Sequence, residues 1–442
     1  MTPPWYRAAW AIGRPLAPLA ARGDGKLSRA VRGKLGAAAA IAAWAARSRD
    51  LSRPLIWLHA ASVGEGRQAE AVLLRLRAAR PEAQILYSHT SPSAVRLAST
   101  LAADFAGYAP LDTARDTGVA LDAARPDLLC FAANDVWPEL VGQASRRGVR
   151  LALVSANLAA ASSRLGLAAR SLLTPAYAAL DLVGAIDQED AGRLATLGVR
   201  GDRIVLTGDA RHDAARARAA ALDRNAPHLR ALEGGSDPRP VVVAGSTWPA
   251  DERRLGPALG SLRRSGVAFR LVMAPHEPTA EHLRALAAAA AALGPDTAVT
   301  TLSAVETASR AGPPATPRWD VCLVDRVGVL AELYAAAALA YVGGGFHRHG
   351  LHSVIEPAAL GVPVLFGPQR HASRDARLLQ EAGGGLCVSD ADAIERALRA
   401  WIEDAAARAA AGAAARAVVD RGLGAAERSV ALLLDLLNRP AA

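Results

Sequence analysis

Residues 55–66 read Leu-Ile-Trp-Leu-His-Ala-Ala-Ser-Val-Gly-Glu-Gly. An apolar run, Leu55 to Leu58, breaks into small residues, and Glu65 stands where a helix-like segment, Arg67 to Arg80, begins. Open α/β sheets put their ligands at such turns, at the carboxyl ends of strands. A carboxylate held there in a partly dry site has its pKa raised and can serve as a general base. The plainer reading of the same residues is a helix start, with Ser62 as the cap and Glu65 complementing the helix dipole.

The second half of the chain carries further candidates. Gly245 to Glu252 follows an apolar run and opens a helix; Ser246 and Thr247, with free backbone N–H groups, would hold a phosphate there, or would simply cap the helix. Pro275-His276 follows another run, which would aim His276 at a phosphate or a base. Gly343-Gly344-Gly345 follows a third, where a ligand could approach the backbone at Gly344 closely. The spacing is not that of a dinucleotide fingerprint. Glu356, before Pro357 at a helix start, would accept both hydroxyls of a ribose. His347, His349 and His352 invite a metal reading, but Arg348 lies between two of them and no carboxylate completes a ligand set, so no metal is expected.

These turns must be positioned by strands. The 442 residues are 51% hydrophobic and 21% charged, a globular composition long enough for two cores. Apolar runs at 55–58, 84–88, 128–131, 150–155, 182–185 and 204–207 alternate with helical stretches. A polar break follows at 226–240, rich in proline and glycine, and reads as a linker. The pattern restarts at 241–244, 269–274, 321–324, 339–342, 364–366 and 386–388. Two βα repeats in succession predict two doubly wound parallel-sheet domains facing a cleft, at 54–225 and 241–442. Residues 303–318 read as a surface loop. Asp390-Ala391-Asp392 reads as the opening of a late helix. The three cysteines, Cys130, Cys322 and Cys387, lie far apart in apolar runs and read as reduced core residues.

Charge is concentrated at one end. Of the net +9, residues 1–53 hold ten basic side chains against Asp24 and Asp50. Trp5, Tyr6, Trp10 and Trp44 are interleaved with them. Aromatic rings that sit at headgroup level beside arginines suit an anionic membrane surface. Nucleic acid would account for the charge but not for the aromatic and apolar faces, so it is not expected as a partner. The longest apolar stretch here, Leu35 to Ala46, is too short to span a bilayer, so a peripheral position is expected. The alternative is an amphipathic helix pair packed on the first domain.

His59 to Glu65 resembles the H-A-A-S-V-G-E motif of the bacterial Kdo (3-deoxy-D-manno-octulosonic acid) transferases, in which the glutamate is the proposed base; Ser62 and Gly64 fall within it. Asn134-Asp135-Val136-Trp137-Pro138 is similar to the family's E-T-E-L-W-P-N segment, with Asp135 in place of a glutamate. Gly208 to Asp213 is similar to the segment whose basic residue stabilises the transition state, a role that falls to Arg211. Pro275 and His276 match a CMP-contacting pair, Val327-Gly328-Val329 falls where the family has Met-Gly-Glu, and Ser353-Val354-Ile355-Glu356 where it has Asn-Pro-Leu-Glu. Asn157 stands where the family has an arginine, and Gly361 to Pro368 matches without change.

The resemblance implies an α/β GT-B enzyme with an acceptor-binding first domain and a nucleotide-sugar-binding second domain. It implies transfer of Kdo from CMP-Kdo to the lipid A precursor, with inversion and without metal or other cofactor, at the cytoplasmic face of the inner membrane. The departures at 157, 329 and 353 bear on the donor. Two alternatives remain at this point: another inverting GT-B enzyme with a different nucleotide sugar, and a non-catalytic lipid-binding protein of the membrane surface.

Overall fold

The computed structural model describes residues 2–233, 237–310, 318–348, 350–370 and 373–439. It divides into two compact units, Met1–Ala214 with Gly422–Ala442, and Ala215–Arg421. Each is built on a seven-stranded parallel sheet.

The strands of the first unit are β1 (Leu55–His59), β2 (Gln84–His89), β3 (Phe105–Tyr108), β4 (Leu128–Ala132), β5 (Arg150–Ala156), β6 (Leu182–Ala185) and β7 (Ile204–Leu206). Their order is β3-β2-β1-β4-β5-β6-β7. The sheet is covered on both faces, so its strands read as continuous apolar runs. On β1, Leu55 and Trp57 enter one core while Ile56 and Leu58 enter the core on the other face. The second unit holds β8 (Val241–Thr247), β9 (Arg270–Pro275), β10 (Val299–Thr301), β11 (Val321–Leu323), β12 (Leu339–Val342), β13 (Val364–Phe366) and β14 (Gly385–Cys387). Their order is β10-β11-β9-β8-β12-β13-β14.

All twelve expected strands are present, and the two unexpected ones, β3 and β10, are sheet edges. An edge strand is bonded on one side and half-buried, so its sequence need not be an apolar run. Of the loop expected at 303–318, residues 303–310 belong to the helix Leu302–Arg310, whose Leu302 and Val305 are buried; 311–317 lie outside the described residues. The expected linker contains a helix, Pro227–Glu233, with Leu229, Ala231 and Leu232 in the core of the second unit. The proline that suggested a linker is the first residue of that helix, where proline is well tolerated.

The domain limits differ from the sequence reading at the end of the chain too. The last helix, Ala425–Asn438, returns to the first unit, and Ala426, Val430, Leu433 and Leu436 fill the core behind β1 and β2. Asp213 accepts hydrogen bonds from the backbone N–H groups of Gly424 (2.8 Å) and Ala426 (2.9 Å), which fixes the start of that helix.

Residues 1–53 form two helices, Pro4–Ala20 and Lys26–Ser48, packed on the first unit. Much of the aromatic and basic content is used internally. Ile41 and Trp44 are buried in the core, and Tyr6 donates to Asp112 at 2.8 Å. Arg7 forks onto Glu139 and Arg14 onto Asp116. The other side of the first helix stays bare: Trp5, Ile12, Leu16 and Leu19 are all at least half exposed, on one stripe of helical spacing. No described helix is long and apolar enough to cross a membrane. Cys130 and Cys322 are buried and Cys387 half-buried, and none is paired. Asp390 caps the helix Ala391–Glu403, as expected.

Candidate active site

Residues in the left-handed backbone region mark where the two sheets hold strain. Four described non-glycine residues have positive φ, and three of them, Ala133, Ser155 and Ser246, stand at the carboxyl ends of β4, β5 and β8. Such conformations are costly for residues with a Cβ and persist where surrounding structure enforces them, often at functional sites. Each lies within two residues of a sequence candidate: Ala133 before Asp135, Ser155 before Asn157, Ser246 before Thr247.

In the first unit, Glu65 is the third residue of the helix Val63–Ala79. Ser62 caps that helix, and the capping reading is therefore correct as far as it goes. Glu65 Oε2 accepts from the backbone N–H of Ala61 (2.8 Å) and of Ser62 (3.1 Å). Oε1 takes no hydrogen bond from any described residue. Burial raises the pKa of Glu65, and the charge of Asp135 adds to it, against the lowering effect of His59 and the two backbone donors. One oxygen is thus clamped and the other left as a proton acceptor on a carboxylate of raised basicity. Gly66 lets the helix start lie this close to the sheet, because a Cβ there would come within 2.9 Å of the Tyr87 hydroxyl.

Asp135 belongs to a buried chain of polar groups. The Trp137 indole N–H is shared between Asp135 Oδ2 (2.9 Å) and His59 Nε2 (3.2 Å). His59 Nδ1 meets Ser88 Oγ at 2.8 Å, which also accepts from the Trp57 indole at 2.7 Å. Burial pushes Asp135 up, but bonding to His59 and Trp137 and the charge of Arg164 outweigh it and hold its pKa below the ordinary value. The pair therefore divides into a carboxylate of raised pKa, Glu65, and one of lowered pKa, Asp135.

Lys34 was not legible as a site residue. It comes from the helix Lys26–Ser48 and lays its ammonium 4.0 Å from the centroid of the Trp137 ring. Burial lowers its pKa, opposed by Asp135 and Asp112. Nothing in its sequence surroundings sets it apart from the other basic residues of that helix. Asn157, in turn, holds Asn134 Nδ2 at 3.1 Å through its side-chain oxygen.

Arg211 follows β7. Its guanidinium forks onto Asp209 Oδ2 (Nε 2.8 Å, Nη2 2.6 Å), while Asp209 Oδ1 accepts from Gln68 at 2.9 Å. Gln68 lies one turn after Glu65 on the same helix. One helix thus carries the clamped glutamate and, through Gln68 and Asp209, the residue that orients Arg211.

In the second unit the candidate turns at the ends of β8, β9 and β12 come together. These three strands are neighbours in the sheet. Asp251, fully buried, accepts from Trp248 N (3.0 Å), Gly344 N (2.9 Å), Phe346 N (3.3 Å) and the Tyr341 hydroxyl (2.8 Å). That single carboxylate ties the turn after β8 to the glycine-rich turn after β12. The glycines admit the protein's own backbone: a Cβ on Gly343 would fall on the Ser246 carbonyl, and one on Gly345 on the backbone of Gly367. This close packing of chain on chain accounts for glycine at 343 and 345.

An aromatic tier lies on the same edge. Trp248 stacks on His347 (4.4 Å between centroids) and on His276 (4.5 Å), and His276 stacks on His352 (4.6 Å). The Trp248 indole donates to His352 Nε2 at 3.0 Å. Burial, with the neighbouring His276, lowers His352 to about 4, which keeps it neutral and able to accept that bond. Among the described residues no group of three His, Cys, Asp or Glu is arranged to hold a metal ion; His349 lies outside them.

The other candidates are placed as follows. Pro275 is buried at the end of β9. Thr247 is buried, its hydroxyl donates to Glu252 at 2.8 Å, and its carbonyl accepts from His276 N at 2.9 Å. Val354 and Ile355 are core residues, which removes their side chains from the site. Ser353 is exposed just before them. Val327 is exposed, Gly328 has φ of 96°, and Val329 caps the short helix Leu330–Leu333. Glu356 stands on the helix Ile355–Ala359, where Oε1 accepts from Arg218 at 3.1 Å.

A family model described as 3-deoxy-D-manno-octulosonic-acid transferase (kdotransferase) matches residues 31–214. The 3-deoxy-D-manno-octulosonic acid transferase of Bordetella pertussis is 30% identical over 395 residues, covering 87% of each chain. This chain belongs to the 3-deoxy-D-manno-octulosonic-acid transferase family. It is therefore a glycosyltransferase, as its motifs led us to expect. The transferase of Haemophilus influenzae is 26% identical over 392 residues, again covering 87% of each chain. Solved structures show the fold. A UDP-GlcNAc 2-epimerase from Neisseria meningitidis superposes with a TM-score of 0.60 at 15% identity, over 86% of this chain and 100% of that one. A glycosyltransferase from Rickettsia africae gives 0.56 at 11% identity, over 88% and 100%. The two-sheet architecture is the one the alternating strands predicted, and it is of the GT-B class that the resemblance implied.

Proposed function

We propose that this transferase moves Kdo from CMP-Kdo to the lipid A precursor lipid IVA, with inversion and without a metal, and that Glu65 is the general base. The observation that carries the reading is the asymmetry of that carboxylate, with Oε2 bound by two backbone N–H groups and Oε1 open on a group of raised pKa. Oε1 takes the proton from the acceptor hydroxyl as its oxygen bonds to the anomeric carbon of Kdo. The bond from that carbon to the CMP phosphate breaks, and CMP leaves with the electron pair. Arg211 stabilises the charge that gathers on the departing phosphate. Incubation with lipid IVA and CMP-Kdo generated in situ, read by mass spectrometry, tests the reaction. Absence of a Kdo adduct, with CMP-Kdo shown to be present, refutes it.

The donor is assigned to the second unit, with the nucleotide at the ends of β8, β9 and β12 and its ribose on Glu356. Truncating Glu356 to alanine should weaken CMP binding by ~1.5–3 kcal/mol, the worth of a hydrogen bond to a charged group. Calorimetry with CMP, and with UDP as the competing nucleotide, measures this. Unchanged CMP affinity would leave Glu356 as the partner of Arg218 only, and tighter binding of UDP would reassign the donor.

The first helix is assigned to the anionic inner-membrane surface, at the cytoplasmic face. Its bare stripe of Trp5, Ile12, Leu16 and Leu19 supports this, beside the exposed Arg22, Lys26 and Arg29. Arg7 and Arg14 are occupied by carboxylates and contribute little. Anionic vesicles should carry the protein upward in a flotation gradient, less so at high salt, since each basic residue near the surface adds ~1 kcal/mol within a Debye length. Ile12→Glu with Leu16→Glu should abolish flotation at any salt. Equal flotation of that variant would remove the helix from the membrane contact.

A further inference from the structure

A cavity of about 350 Å³ opens at the opposite edge of the second sheet from the stacked histidines. Its walls come from the amino ends of β8 (Pro240, Val241) and β9 (Arg270) and from Ala335–Ala338, which lead into β12. Leu229 and Leu232 of the helix Pro227–Glu233 close one side. Among the described residues, the charged ones lining it are Arg224, Arg239 and Arg270.

The two carboxylates behind this wall are already taken. Asp237 accepts from Arg239 through both oxygens, and Asp320 accepts from Arg239 Nη1 and from Ala298 N. Arg239 is thereby neutralised. Arg270 is not. It is 4% exposed, donates from Nη1 to the Leu232 carbonyl at 3.0 Å, and lies over the Trp319 ring. Its Nε is buried without a hydrogen bond among the described residues, and Asp237 Oδ2 is no nearer than 3.9 Å. Arg224 stands exposed at the rim, with no described ion pair. The cavity wall thus carries positive charge that is incompletely matched, at Arg270 and at the exposed Arg224.

We propose that this cavity binds a small molecule bearing a phosphate group, held by Arg270 and Arg224 with its remaining body against Leu229, Leu232 and Ala335–Ala338. The planar fork of arginine suits a phosphate, and two guanidinium groups without a close carboxylate partner suit a dianion. The site lies at the amino ends of the strands, whereas the nucleotide is assigned to their carboxyl ends, so the two are separate sites on one sheet.

Calorimetric titration of the full chain with pyrophosphate, at low chloride and in the presence of saturating CMP, tests this. One equivalent of pyrophosphate should bind with CMP present. Arg224→Ala, at the exposed rim, should fold as wild type and bind roughly ten-fold more weakly, the loss of one charge-assisted contact. Arg270→Lys keeps the charge but loses the fork and should weaken binding by at least as much. Wild-type affinity in Arg224→Ala, or displacement of pyrophosphate by CMP, overturns the proposal. If Arg270→Lys fails to fold, Arg224→Ala alone decides it.

Discussion

Glu65→Gln should lower kcat by ~10²–10⁴, the range for removing a general base, without disturbing the fold. The structure explains why the two effects separate. The amide oxygen of glutamine still accepts from Ala61 and Ser62, so the helix start survives, while the nitrogen that replaces the open Oε1 cannot take a proton. The pH profile gives a second reading. The base works only when ionised, and burial has raised its pKa, so activity of the wild-type enzyme should fall as pH drops through that raised value. Asp135→Asn removes the second contributor to the shift and should move this acid limb to lower pH without abolishing it, because burial is the larger cause. A glutamine variant with wild-type kcat would take Glu65 out of the chemistry.

Sheet centres were readable because burial on both faces leaves only apolar side chains, as in Leu55–Leu58 and Leu339–Val342. Edges were not: Phe105–Tyr108 contains a glycine and an exposed alanine, and Val299–Thr301 is two-thirds threonine. The return of the last helix to the first unit is a long-range event with no local signature, since its apolar stripe fits either domain equally well.

The site was legible where one turn carries the chemistry and obscure where several turns share it. Glu65 sits on a single strand-to-helix turn, and its motif is local. The stack of Trp248, His276, His347 and His352 is assembled from three separate turns spread over residues 248–352, and only the neighbouring of β9, β8 and β12 joins them. Its parts read as a helix start, a lone histidine and a failed metal site. The order of strands was the missing information. Glycines were ambiguous for a related reason. Sequence shows that a side chain is excluded at Gly343 and Gly345 but not by what, and here the excluding atoms are the protein's own backbone.

Arg211→Ala should lower kcat by ~10²–10³, the usual cost of losing one preorganised group that stabilises developing charge. Its effect on the KM for CMP-Kdo should be smaller. The leaving phosphate gains negative charge as the bond to Kdo breaks, so a cation aimed at it interacts more strongly in the transition state than in the ground state. Preorganisation is visible in the chain Gln68–Asp209–Arg211, which fixes the guanidinium before substrate arrives and spares it reorientation during the reaction. The same chain permits a purely structural reading, in which Arg211 does no more than neutralise the buried Asp209. The two readings part in one experiment. A structural role predicts a lowered Tm with kcat retained in the molecules that remain folded, whereas a role in catalysis predicts loss of kcat at a temperature where the variant is fully folded. Gln68→Leu supplies the control, since it leaves Arg211 in place but removes the donor to Asp209 Oδ1. It should cost less than Arg211→Ala while shifting kcat in the same direction, and a variant that loses stability alone would return Arg211 to the scaffold.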